Sequence, residues 1–361
     1  MRVVFLGLSV TSSWGNGHAT IFRALLRALR RQGHDTLFLE RDVPWYAANR
    51  DLEPGADPTL GPVVLYAGVD ELRDRHAAAV RGADLVVVGS YVPEGVAVAR
   101  WATATADGLA AFYDIDTPVT LAALRAGTCE YLDAETLRRF GLYLTFTGGP
   151  VLRELEEQWG AAAAAPLYCC VDAEAYAPVD DEPDLDLGYL GTYSDDRQPG
   201  LERLLLGPAR RLAQRRFAVA GPQYPKALQW PANVERIEHV PPPQHRAFYG
   251  RQRFTLNLTR AAMTAAGFSP SVRLFEAAAC GVPIITDAWP GLSTFFVPDR
   301  EVIVARDGGD VEQALTAMSD TRRRAIAAAA RRRVLAEHTA DHRAAELVGH
   351  VARPRSSAVS A

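Results

Sequence analysis

Short apolar runs alternate with helical patterns along this chain, break off, and then begin again, and no other feature restricts its fold as much. In the first half the runs are RVVFLGL (2–8), TLFLE (36–40), ADLVVVGS (83–90), LAAFYD (109–114), LYLTF (142–146) and PLYCC (166–170). None alternates strictly between apolar and polar residues, so each reads as a strand covered on both faces, the pattern of parallel sheets joined by helices. Between the first two, HATIFRALLRALRRQG sets Ile21, Phe22, Leu25, Leu26 and Leu29 on one helical stripe that stops at Gly33, and 93–106, 118–126 and 148–159 read as further helices. VDAEAYAPVDDEPDLD (171–186), rich in acid and proline, reads as a linker. The alternation resumes in LGYLGTYSDD, RFAVAG, VERIEHV, FTLNLT, VPIITD and EVIVA; helical patterns fill 311–350, and RPRSSAVSA at the end reads as disordered. The expectation is an α/β protein of two doubly wound, Rossmann-like domains facing a central cleft. The domains are placed at residues 1–170 and 187–338, with 171–186 as linker and 339–361 as terminal helix and tail. No short repeat recurs at a fixed period, which excludes solenoids and propellers.

The length, 361 residues with 48% hydrophobic, suffices for two cores. With 39 basic and 43 acidic side chains, a net charge of −4, a general nucleic-acid or membrane-surface binder is not expected. The arginines at 322–324 and 331–333 lie on an Ala-rich helical stretch and read as a solvated face. The N-terminal apolar run is too short to span a bilayer and turns polar and Gly-rich at once, so it reads as a buried strand, not a signal peptide, and no later segment is long enough to cross. Cys129, Cys169, Cys170 and Cys280 show neither zinc spacing nor a disulfide framework, and a reducing, cytoplasmic setting follows. Lys226 is the only lysine among the 39 basic side chains, so a phosphate gripped by a side-chain cation here is expected to be gripped by arginine.

The stretch GFSPSVRLFEAAACGVPIITD (267–287) combines a helix start, a helix stop at Gly281-Val282-Pro283 and a buried strand. With Ser269 as N-cap and Pro270 first in the helix, the amides of Ser271 and Val272 lack intrahelical partners and form an anion site. Ser269, Arg273 and Glu276 are spaced i, i+4, i+7 and share a face. A phosphate at the helix start can be gripped by Arg273, and Glu276 can accept hydrogen bonds from vicinal hydroxyls. Phosphate and ribose in that order describe a nucleotide; a capped core helix with an Arg–Glu pair at its edge is the structural alternative.

On these residues the chain resembles the group-1 glycosyltransferases of the GT-B fold, in which a Glu precedes a small-residue helix, a Gly-x-Pro and a strand. The longer run from YLGTYSDDR through FAVAGPQYP, HVPPPQHRAFYGRQRFTLNLTR and GFSPSVRLFEAAACGVPIITDAWPGLSTFF resembles the CgeB-like bacterial branch. The resemblance implies that Glu276 binds the nucleotide ribose and the helix start its diphosphate. Many group-1 enzymes carry a second glutamate eight positions earlier, near the donor sugar; position 268 here is Phe. Retention of anomeric configuration, which the resemblance implies, loses support from that departure.

Three further loops follow strands of the second domain, where a doubly wound sheet places its ligands. LGTYSDDR (190–197) offers Gly191, Thr192 and Arg197 for the diphosphate; NLTR (257–260) offers Thr259 and Arg260; Lys226 and His239 are weaker candidates to border the base. In the first domain SSWGNGHAT (12–20) joins strand to helix: Gly15, Asn16 and Gly17 shape a turn, and His18 falls near the helix start. The third glycine of a dinucleotide fingerprint would fall at Thr20, which disfavours a Rossmann dehydrogenase. His18, as general base or as a group orienting the acceptor, and Arg260, against the departing diphosphate, are the catalytic candidates. Asp114 and Asp116 form a D-x-D, a pair that in the GT-A fold holds a metal. In the first domain, away from the phosphate features, it reads as acceptor-binding or as a partner for arginine. Glu40, Arg41, Asp42, Trp45 and Tyr46 read as a similar rim. A nucleoside-diphosphate sugar is the expected donor, with no metal or other cofactor; a non-catalytic sugar-nucleotide binder, or an epimerase or phosphorylase on the same fold, is the alternative.

Overall fold

The computed structural model describes residues 1–352; the tail RPRSSAVSA lies outside them. The first sheet has seven strands, β1 (Arg2–Gly7), β2 (Asp35–Arg41), β3 (Val63–Tyr66), β4 (Leu85–Gly89), β5 (Leu109–Asp114), β6 (Leu142–Thr145) and β7 (Ala164–Pro166), in the order β3-β2-β1-β4-β5-β6-β7. The second has six, β8 (Leu185–Leu190), β9 (Phe217–Ala220), β10 (Val234–Ile237), β11 (Gln252–Asn257), β12 (Ile284–Thr286) and β13 (Ile303–Val304), in the order β10-β9-β8-β11-β12-β13. The adjacent strands pair in parallel throughout both sheets.

The two sheets obey one winding rule. Strand order reverses between β1 and β4 in the first and between β8 and β11 in the second, which opens a crevice beyond the carboxyl ends of those strands. The central strands β1 and β4 are buried almost to the last residue, as their unbroken apolar runs require. The stripe Ile21, Phe22, Leu25, Leu26 and Leu29 of helix His18–Arg31 lies in the core, within 3% of complete burial. These are two Rossmann-like domains in the GT-B arrangement.

Three details depart from expectation. PLYCC is not a strand: the seventh strand is Ala164–Pro166, and Cys169 and Cys170 are buried beyond it. The run VVLY (63–66), only four residues long between Gly61-Pro62 and Gly68, forms the edge strand β3. The acidic stretch after Cys170 is more than a tether, because Tyr176 is buried there, its hydroxyl 2.9 Å from His245 Nδ1, and the carbonyls of Ala177 and Pro178 accept from Arg246. Strand β8 begins at Leu185, inside the span expected as linker. The last helix, Ala340–Ala352, returns to the first domain, where Asp341 pairs with Arg31 at 2.9 Å. Among the described residues no helix is long and apolar enough to cross a membrane.

Candidate active site

The two switch points face each other across a cleft of about 490 Å³. The loops after β1 and β5 form one wall; the loops after β8, β9 and β11, together with the start of helix Val272–Ala279, form the other.

On the first wall, Gly15, Asn16, Gly17 and His18 all line the cleft. Their loop is tightly braced from below. Glu40, fully buried, accepts from the Val10 amide (2.6 Å), the Thr11 amide (3.0 Å) and the hydroxyls of Ser9 (2.8 Å) and Thr11 (2.5 Å). Asp51 accepts from the Ser13 amide and hydroxyl and pairs with the buried Arg23 at 2.8 Å, which holds its carboxyl below the ordinary aspartate value against the effect of burial. Asn16 donates to the carbonyls of Ser9 and Ser12 and accepts from the His18 amide, so it is a brace with a cleft-facing edge. Glu40 is thus no part of an acceptor rim: its strand-end position turns it inward, under the loop. Arg41 and Asp42 pair with Glu94 and Arg50, and Trp45 stands 56% exposed.

His18 packs against Tyr91 at 5.7 Å between ring centroids, and its Nδ1 is sealed from solvent with no hydrogen-bond partner. Burial lowers its pKa to about 4, against the pull of Asp116, so the imidazole is neutral around pH 7. Such a ring readily accepts a hydrogen bond and is a weak proton acceptor.

The two acids of the D-x-D part company. Asp116 lines the cleft, accepts from the Tyr91 hydroxyl at 3.0 Å and lies 3.8 Å from Arg260 of the opposite wall. Asp114 corrects the expectation of a cleft residue: it is fully buried among Tyr143 Oη (2.6 Å), Thr120 Oγ1 (2.9 Å) and the Asp116 amide (3.2 Å). Burial raises its pKa from 3.8 to about 6. Protonated Asp114 therefore favours the folded chain: that contribution is whole below pH 3.8 and is lost as pH rises through about 6. Asp114→Asn, which cannot ionise, is expected to stabilise the first domain by about 3 kcal/mol at pH 8 and to leave it unchanged near pH 3.5. Amide exchange on β5 at the two pH values measures this, and equal gains at both would refute it.

On the second wall the helix starts later than expected. Ser271 is its N-cap, with extended backbone (φ −83°, ψ 141°), and Val272 is its first residue. Ser269 is not the cap because its hydroxyl is engaged elsewhere, 2.9 Å from Thr147 Oγ1 of the first domain and 3.3 Å from Met263 Sδ. The free first-turn amides are consequently those of Val272 and Arg273, while Ser269, Ser271 and Val272 still line the cleft.

The three arginine candidates are not equivalent. Arg273, 6% exposed, lies over the Tyr189 ring at 4.6 Å and donates to Leu190 O, to Asn257 Oδ1 (3.0 Å) and to Ser271 Oγ (3.4 Å). Arg197 braces its own loop through Thr192 O (2.7 Å) and Ser194 Oγ (2.9 Å). Arg260 has only loose neighbours, Asp116 at 3.8 Å and Asp196 at 3.6 Å, and its Nε is buried without a hydrogen-bond partner. Of the three it has donors to give a ligand. Beside it Thr259 is fixed by Asp287, which accepts from its amide and hydroxyl. Gly191 and Thr192 line the cleft above Gly221, whose φ of 138° and 2.0 Å gap from a would-be Cβ to Gly191 O allow no side chain. Lys226 is exposed and outside the cleft.

Glu276 is 4% exposed and lines the cleft floor. Tyr249 donates to its Oε2 at 2.9 Å, and His245 Nδ1 stands 4.0 Å from Oε1. His245 Nε2 is 3.0 Å from the carbonyl of Val240, which can only accept, so Nε2 carries a proton, and Nδ1 lies 2.9 Å from the Tyr176 hydroxyl. Among the described residues no arginine pairs with Glu276, whose polar neighbours are Tyr249, His245 and Tyr176. Sequence reading missed Tyr176, His245 and Tyr249; PPQHRAFYG carried the only signal for the last two, polar rings four residues apart on a helix, and nothing local marked Tyr176. His239 lines the cleft and rests on Trp14 of the other wall, 4.2 Å between centroids.

Comparison with known proteins agrees with this architecture. Residues 197–349 match the family described as glycosyl transferase-like. No curated protein matches significantly. Among solved structures the chain is similar to an alpha-glucosyltransferase in complex with UDP (TM-score 0.71, 11% identity, covering 98% of this chain and 100% of that one). It is similar to Anabaena HepE in complex with UDP and glucose (0.68, 14%, 97% and 99%). A third is sucrose-phosphate synthase from Thermosynechococcus elongatus (0.65, 14%, 97% and 98%). The GT-B fold is common to all.

Proposed function

We propose that this chain is a glycosyltransferase that moves a sugar from a nucleoside-diphosphate sugar to a hydroxyl acceptor, without a metal, and that it stands nearest the CgeB-like branch. The observation that carries the reading is Glu276 on the cleft floor with no arginine paired to it among the described residues, one oxygen held by Tyr249 at 2.9 Å and the other 4.0 Å from His245. Ribose hydroxyls suit it as partners, with the diphosphate at the Val272 and Arg273 amides and beside Gly191, Thr192 and Arg260. UDP-glucose is the first donor to test, since two of the similar structures hold UDP and one of these glucose as well.

Charge gathers on the diphosphate as the bond to the sugar breaks. Amides and a guanidinium already aimed at that place stabilise it without reorganising. On the other wall Asp116 holds the acceptor, and neutral His18 accepts a hydrogen bond from its attacking hydroxyl, whose proton leaves with the diphosphate oxygen released as the bond to the sugar breaks. Closure of the walls keeps water from the donor. Two alpha-glucosyltransferase structures of this fold contain DNA, but a net charge of −4 does not suit a polyanionic acceptor, and a small polyol or glycan fits the Asp116 side better.

Calorimetric titration with UDP, GDP, ADP and dTDP, in EDTA and then with magnesium, tests the reading. One nucleotide is expected to bind at micromolar concentration in EDTA. Binding only with magnesium would remove the metal-free mechanism; binding of none would remove the donor site. Turnover of UDP-glucose without acceptor would point to an epimerase or a phosphorylase.

A further inference from the structure

The donor-side loop that opens helix Val272–Ala279 is tied, residue by residue, to the opposite domain. The carbonyl of Phe268 accepts from the Gly148 amide at 3.0 Å. The hydroxyl of Ser269 lies 2.9 Å from Thr147 Oγ1, and the carbonyl of Pro270 accepts from Cys169 Sγ at 3.3 Å. Phe268 itself sits in the left-handed region at φ 48°, and its ring fills the place a Cβ on Gly149 would occupy, 2.4 Å away. A non-glycine residue held in that conformation is strained and persists where surrounding contacts fix it.

These contacts continue into the first domain as a chain of hydroxyls. Thr117 Oγ1 and Thr145 Oγ1 are 2.6 Å apart, Thr145 Oγ1 donates to the carbonyl of Thr147 at 3.1 Å, and the Thr147 amide donates back at 2.9 Å. Ser269 donates to Met263 Sδ, so it accepts from the Thr147 hydroxyl. Thr117, Thr145 and Thr147 are fully buried and Ser269 is 6% exposed. Thr117 follows Asp116, which lines the opposite wall. Groups buried this way are hydrogen-bonded or costly, so the contacts hold the loop Phe268–Pro270 in one arrangement against the first domain.

We infer that Thr147 is a positioning residue of the donor site: sealed from the cleft and unable to touch a ligand, it fixes the loop Phe268–Ser271 and ties it to the Asp116–Thr117 turn across the cleft. The inference rests on the donor-site reading above for its functional half and on geometry alone for its structural half.

Two measurements on the full chain test it. Without ligand, amide exchange across residues 267–274 should rise about tenfold in Thr147→Val and return to the wild-type rate in Thr147→Ser, which restores the hydroxyl. UDP affinity should fall about fivefold to tenfold in Thr147→Val and recover in Thr147→Ser. Wild-type exchange in the valine variant would overturn the inference, as would faster exchange with unchanged UDP affinity. A wild-type protein that binds no UDP would count against UDP as the donor nucleotide, while the exchange measurement still decides whether Thr147 holds the loop. Thr147→Ala removes the same hydroxyl with less bulk and serves if the valine variant does not fold.

Discussion

Glu40→Ala is expected to destabilise the first domain by about 4 kcal/mol, the largest stability change of any single substitution at the cleft, although Glu40 never reaches it. The carboxylate, fully buried at the end of β2, accepts from two amides and two hydroxyls of the segment Ser9–Thr11. Alanine leaves both amides facing a cavity without an acceptor, and each such orphan costs about 1–3 kcal/mol. The hydroxyls can rotate toward other acceptors and contribute less. Glu40→Gln can place its oxygen on the amides and its NH2 on the hydroxyls, so it should cost only about half as much. Amide exchange on β1 and β2 reads the opening free energy of this sheet directly and avoids treating two domains as one transition. A loss under about 1 kcal/mol in the alanine variant would mean that the loop before His18 is held by Asp51 and Arg23 instead.

That result bears on what a sequence can disclose. The alternation of buried runs and amphipathic helices was enough to place both sheets, because parallel strands covered on two faces must be apolar throughout. The glycine loop, the arginine at 260 and the glutamate at 276 were legible because each lies within a few residues of a strand end or helix start, where local geometry dictates the neighbours. Glu40 was visible as a charged strand end, yet its direction was not: whether such a residue faces solvent or turns beneath a loop depends on donors thirty residues earlier. Ser269 shows the same limit. Its sequence context fits an N-cap, and only the nearness of Thr147, 122 residues away, draws its hydroxyl off and moves the cap to Ser271. Asp114 and Asp116, two residues apart, would share a face if β5 ran on; they take opposite environments because the strand ends at Asp114 and Asp116 stands beyond it as the N-cap of helix Thr117–Ala126. Local rules located the residues that line the cleft, and contacts distant in sequence decided which of them are braced from below.

Glu276→Ala is expected to weaken UDP binding by about a hundredfold to a thousandfold, the largest functional loss of any single substitution in the cleft. Hydrogen bonds to a charged acceptor contribute about 1.5–3 kcal/mol each, and a carboxylate facing vicinal hydroxyls can accept two. Three variants and two probes separate that role from a general disturbance of the floor. Tyr249→Phe removes the donor to Oε2 but keeps the carboxylate, so its effect should stay below about tenfold. Glu276→Gln keeps an acceptor for Tyr249 and one contact for a hydroxyl, and should fall between the other two. Pyrophosphate, which has no ribose, should bind the wild type and Glu276→Ala alike, because its partners are the Val272 and Arg273 amides and Arg260 at the far end of the cleft. If pyrophosphate is lost together with UDP, the substitution has collapsed the helix start and the ribose assignment fails. If UDP is kept, the buried carboxylate serves the network of Tyr249, His245 and Tyr176, and the donor site must be sought elsewhere along the cleft. UDP lost and pyrophosphate kept is the pattern that a ribose-binding carboxylate alone produces.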